Sequence, residues 1–152
     1  MLKLSPAVLC ACLLGGCVTA PSVNVRGDAT IDQRSDMASA GTVAVRVVNP
    51  NPRSIRLVEY DYTVTMPGRS AWHGRHDGGM VLSPGFDRVA ELPIVLPANI
   101  QPGTRIHVGG GLYYLDTSTF AQTLADWGYR PTAGFSGSAV VQEAAATGPP
   151  TP

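Results

Sequence analysis

Three side chains in this sequence stand close enough together to suggest metal chemistry: His73, His76 and Asp77. Imidazole and carboxylate both serve as transition-metal ligands. A spacing of three, however, puts the two imidazoles on opposite faces of a strand, and only a turn would bring them together. The expectation is a solvated hairpin with no metal. His107 falls opposite the apolar parity of Ile106, Val108 and Leu112, so it reads as a surface residue. Covalent or acid–base catalysis needs a nucleophile with a positioned base, or paired carboxylates in a cleft. The chain has no G-x-S-x-G, no H-E-x-x-H and no P-loop. Gly109-Gly110-Gly111 lacks the lysine and the following helix that a phosphate cradle would use. The sequence therefore reads as non-enzymatic, with no catalytic residue and no cofactor.

The remaining chemistry-bearing side chain is a thiol. One lysine, Lys3, precedes an apolar stretch over 7–14, followed by Leu14-Gly15-Gly16-Cys17. The stretch is too short to span a bilayer, which takes roughly 20 apolar residues. A charged start, a short apolar run and small residues at its end read as an export signal. The run's end resembles the lipobox of bacterial lipoproteins, in which the cysteine sulfur takes the diacylglycerol. Residues 1–16 are then the signal, and Cys17 is the lipidated first residue of the mature chain. Cys10 and Cys12 leave with the signal, so the folded part has neither free thiol nor disulfide and must rest on its apolar core. Val18 follows Cys17 in place of an aspartate. By resemblance to Gram-negative sorting, this implies the outer membrane, facing the periplasm.

Removing 16 of 152 residues leaves 136, enough for one domain with a core of its own. Lys3 is the only lysine, so ten arginines then face eleven acids. No basic run offers a nucleic acid its electrostatic footprint. The membrane contact implied is the N-terminal lipid anchor alone. The 17 glycines and 13 prolines suit many turns and few helices.

The elements that would position these residues are mostly strands. Residues 17–40 read as a lipidated tether, with a first strand suggested at Val23-Asn24-Val25. Residues 42–48 alternate with Val43, Val45 and Val47 on one face, a strand signal, and end in Asn49-Pro50-Asn51-Pro52, a stiff turn. Over 54–66, Ile55 and Leu57 share one parity while Tyr60, Tyr62 and Val64 share the other. The change near Val58 predicts a bulge. A shorter partner over 70–77 should follow, then a loop punctuated by Gly78-Gly79 and Ser83-Pro84-Gly85. Residues 86–96 form a strand that Pro93 confines to an edge or a kink. Residues 104–115 form another, with Ile106, Val108, Leu112 and Tyr114 on one face. The spacing predicts a helix over 116–127 capped by Asp116 or Thr117, with Phe120, Leu124 and Trp127 as one apolar stripe. That stripe should lie buried on the sheet, with Gly109-Gly110-Gly111 allowing the close approach. Residues 134–142 are the last strand, and 143–152 should be a disordered tail.

VRVVNPNPRSIRLVEYDYTV, then LPIVLP, then GGGLYYLDTSTFAQTLADWG together resemble the group 2 late embryogenesis abundant (LEA type 2) and WHy (water stress and hypersensitive response) domains. The likeness covers about 41–142. It implies an all-β fold with one helix, an immunoglobulin- or fibronectin-like β-sandwich of about seven strands. It further implies a part in desiccation or other stress, by protecting or binding other molecules without catalysis. One departure is Trp72, His73 and His76, where the family usually has a plainer hairpin. The candidate binding residues are Asn49, Pro50 and Asn51, as a contact loop if not a structural turn, together with Trp72. Two functions compete: a protector of many protein clients, and an adaptor for one envelope partner. The adaptor should expose a contiguous apolar patch.

Overall fold

Period-two alternation over most of the chain becomes strand. The computed structural model describes residues 19–68 and 72–144. Its elements run β1 (Ser22–Arg34), β2 (Ala38–Val48), β3 (Ile55–Thr65), β4 (Trp72–Leu82), β5 (Asp87–Pro97), β6 (Arg105–Asp116), α1 (Thr119–Asp126) and β7 (Thr132–Glu143). Cys17 and residues 145–152 of the tail expected over 143–152 lie outside the described residues, whereas Glu143 still belongs to β7 and Ala144 N donates to Ile31 O.

All seven strands join one sheet in the order β4-β3-β6-β7-β1-β2-β5. Every pairing is antiparallel except β1 with β7, where Asp28–Ile31 run alongside Val140–Glu143. The sheet curls until its edge strands β4 and β5 approach one another, so that it is nearly closed into a barrel. The interior is filled from every strand. Val43, Val45 and Val47, Ile55 and Leu57, Leu92, Ile94 and Leu96, and Ile106, Val108 and Leu112 are all buried. Burying each such side chain contributes roughly 1.5–3 kcal/mol. Tyr62 crosses this interior, and its phenol donates to the Pro93 carbonyl of β5. Burial pushes the phenols of Tyr60 and Tyr62 up to about 12, so both stay neutral at ordinary pH.

The bulge expected at Val58 is present. Leu57 and Glu59 face Tyr114 and Tyr113, consecutive residues of β6, so Val58 is the extra residue. On the other side Leu57 and Glu59 face Met80 and Asp77. Gly78 and Gly79, expected as loop, are thus the matching irregularity inside β4. Gly79 takes φ +52, and a Cβ on Gly78 would stand 2.6 Å from the Leu57 carbonyl. Pro93 is on an edge strand as expected, exposed between buried Leu92 and Ile94.

Residues 22–40 are not tether. β1 occupies the middle of the sheet between β7 and β2. Its apolar alternation is hidden because the register shifts between Val25 and Ala29, taking Arg26, Gly27 and Asp28 out of step.

Gly109-Gly110-Gly111 does not receive the helix. A Cβ on Gly110 would stand 2.3 Å from the Asp61 carbonyl oxygen of β3, and one on Gly111 would stand 2.5 Å from the Thr132 side chain of β7. The glycines let neighbouring strands close on β6.

Candidate functional site

The pairings place the start of β1, β3, β5 and β7 and the end of β2, β4 and β6 at one end of the sheet. Ser22 faces Val48, Val48 faces Asp87, and Ile55 faces both Leu82 and Asp116. Asn49 and α1 belong to this end.

Asn49 is wholly buried. Its amide nitrogen donates to the carbonyls of Arg53 (2.8 Å), Leu82 (3.0 Å) and Ser83 (3.2 Å). Its oxygen accepts from the backbone and side-chain nitrogens of Asn51, both at 3.0 Å. Its backbone pairs with Phe86 and Gly85. Asn49 therefore ties the β2–β3 loop to the β4–β5 loop, as a structural turn should. Asn51, 5% exposed, reaches a different target. Its oxygen accepts from Thr19 N (2.7 Å) and its nitrogen donates to Thr19 O (2.8 Å). This side-chain amide imitates a strand neighbour and clamps the chain two residues after Cys17. Pro50 stays exposed on the same loop.

The helix differs most from expectation. It spans only Thr119–Asp126, its N-cap is Ser118, whose side chain accepts from Ala121 N, and none of its residues is buried. Asp116 belongs to β6, and its Oδ1 accepts from Ser118 N at 2.7 Å. Phe120 is 73% exposed and Trp127 81%. The stripe that should have docked on the sheet points largely into solvent. Leu124 is half-buried, so Leu124→Ala should cost less than about 1 kcal/mol, close to Gln122→Ala, because both are surface changes. Urea unfolding of the domain checks this. A Leu124 loss of several kcal/mol would mean the helix is docked.

Beneath α1 runs a groove of about 490 Å³ bordered by Arg53, Tyr114, Asp116, Phe120, Leu124 and Tyr129. Asp116 is 7% exposed, and its Oδ2 has no hydrogen-bond partner among the described residues. The residue borders the groove, but this oxygen is itself closed off from solvent, a buried acceptor left unsatisfied. Sequence reading missed this feature, because Asp116 looks like a helix cap.

The other candidates are occupied by packing. Trp72 is half-buried, lies over Gly74, and meets Tyr62 edge-on at 5.8 Å. His73 and His76 take opposite faces. His73 is exposed and bonds Asp61 at 2.7 Å, whereas His76 turns toward Tyr60. The His73 hydrogen bond, helped by Arg75, holds Asp61 below the usual carboxylate range. Among the described residues no three His, Cys, Asp or Glu side chains gather as a metal group. Nor is any helix among the described residues long and apolar enough to cross a membrane.

Over the described residues the chain is mostly β, with one short helix, built on a seven-stranded mixed sheet. No protein-family model matches it, and no curated protein is similar to it in sequence. Solved structures share its fold. Northeast Structural Genomics Consortium target SoR45, an X-ray structure, superposes with TM-score 0.58 at 12% identity over 81% of this chain and 88% of that one. The solution structure of the Arabidopsis thaliana protein AT1g01470 superposes with TM-score 0.52 at 14% identity, over 84% of this chain and 86% of that one.

Proposed function

We propose that the protein is a non-enzymatic envelope lipoprotein, anchored through Cys17, whose domain protects or binds other molecules in the manner of LEA type 2 and WHy domains. The strands are then an immunoglobulin- or fibronectin-like sandwich, with β4, β3 and β6 packed against β1, β2 and β5. The Tyr62 phenol, reaching from β3 to Pro93 of β5, supports that division. The observation that carries the anchoring is Leu14-Gly15-Gly16-Cys17 after the short apolar run, and the Asn51 clamp on Thr19 fixes where the chain leaves the fold. Folded structure begins within two residues of Cys17, leaving no long linker between lipid and domain. The outer membrane, facing the periplasm, is the compartment that Val18 implies.

Cys17→Ser should abolish metabolic palmitate labelling and leave the precursor uncleaved or mislocalised on fractionation. A mutant that still labels would sink the lipoprotein reading. A second reading, an adaptor for one envelope partner, is favoured by the exposed Phe120 and Trp127. Crosslinking in the native envelope separates the two, a spread of clients supporting the protector and one dominant partner the adaptor.

A further inference from the structure

Ten aromatic side chains lie among the described residues, and four of them are largely exposed: Phe86, Phe120, Trp127 and Tyr129. All four stand at the end of the sheet that carries Asn49. Phe86 is backbone-paired with Asn49. The approach to α1 is tied to the β2–β3 loop, where Thr117 N donates to Ser54 O, and Phe120 and Tyr129 border the groove that Arg53 also lines. Asn51 of this same loop holds Thr19. Thr19, the first described residue, is thus held at this aromatic end, two positions after Cys17 in the sequence. Tryptophan and tyrosine settle where an apolar body meets a wet surface, which is the headgroup region of a bilayer, and phenylalanine buries its ring just beneath it. The diacylglycerol expected on Cys17 carries two acyl chains, which already anchor stably, so a further contact at this end would set orientation rather than hold.

We infer that this end, with Phe120, Trp127 and Tyr129 at its tip, seats in the interfacial layer of the membrane that holds the lipid anchor. This rests on the lipoprotein reading of Cys17. The clamp at Asn51 makes the seating directional, because the chain cannot swing the opposite hairpin end toward the bilayer. The groove beneath α1 adds a matching chemistry. Arg53 lines this cleft, and a lipid headgroup brings a phosphate to it. Seated in this way, the sheet stands upright on the membrane, with the β1–β2 and β3–β4 hairpins farthest from it.

The test uses the full lipidated protein in phosphatidylethanolamine/phosphatidylglycerol vesicles carrying lipids brominated at shallow acyl positions. Of the two tryptophans, Trp72 lies against Tyr62 in β4 and Trp127 on the seated tip. Bromolipid should remove roughly half of the tryptophan emission, by the interfacial placement of Trp127. Trp127→Phe should abolish that loss while palmitate labelling persists. Full emission in a labelled protein, with Trp127 quenched by aqueous iodide, overturns the seating and leaves the lipoprotein reading intact. A crosslink from position 127 to one envelope protein overturns it in favour of the adaptor. A chain that takes no label overturns both.

Discussion

Replacing Asn49 by alanine lowers the stability of the domain by about 3 kcal/mol, because carbonyls buried without partners cost roughly 1–3 kcal/mol each. Asn49 is fully enclosed and serves three carbonyls and two nitrogens. The methyl of alanine satisfies none of them, and loop backbone from Arg53, Leu82 and Ser83 loses its donor. The loss exceeds that of an ordinary turn asparagine, because this side chain joins two loops far apart in sequence. Asn51→Ala should be milder in a urea melt of the domain. It opens the Thr19 clamp and leaves the sheet in place, so its mark should be faster proteolysis near residue 19. An Asn49→Ala melt indistinguishable from wild type would mean that the loop is held by other contacts.

Gly110→Ala should be comparably damaging, about 3 kcal/mol, the upper part of the range for overpacking a filled site. The added carbon would stand 2.3 Å from the Asp61 carbonyl and 2.7 Å from Tyr62 Cα, both backbone. Backbone cannot rotate aside as a flexible side chain can, so β3 and β6 must separate at the point where Tyr62 faces Gly110. Gly109→Ala is the control. Its nearest neighbours lie at 3.7 Å, ordinary contact, and its effect should stay within about 0.5 kcal/mol. Denaturant midpoints of the two variants decide the matter. Equal midpoints would show that the strands have slack at this position.

The strands whose apolar residues keep one parity were legible in the sequence, because burial on one face is written directly into the spacing of Val43, Val45 and Val47 or of Leu92, Ile94 and Leu96. The bulge at Val58 was legible for the same reason, since a parity change has few other causes. Of β1 only the start at Val23-Asn24-Val25 was legible, because Arg26, Gly27 and Asp28 break the alternation beyond it and its partners lie elsewhere in the chain. Gly78-Gly79 misled because a glycine pair that accommodates a bulge looks, locally, like a pair that makes a turn. The helix misled differently. A stripe of Phe120, Leu124 and Trp127 says that one face is apolar, and says nothing of what covers it. At the site, Asn49 and Asn51 were picked out as a turn or contact loop. The reach of Asn51 to Thr19, 32 positions away, belongs to the fold and has no local signature.

β7 has a consequence for how the molecule assembles. It is the sole bridge between β4-β3-β6 on one side and β1-β2-β5 on the other. Each trio takes its ladder partners from within its own stretch, residues 22–97 for one and 55–116 for the other. The strand that unites them comes last in the sequence, and its parallel register sets Asp28 beside Val140. Until that strand has been synthesised and paired, β1 and β6 each present an unpaired edge, the kind that recruits foreign strands. Pairings of such long sequence separation also form slowly. A nascent copy thus passes through a half-zipped stage with two open ladders exposed to foreign strands.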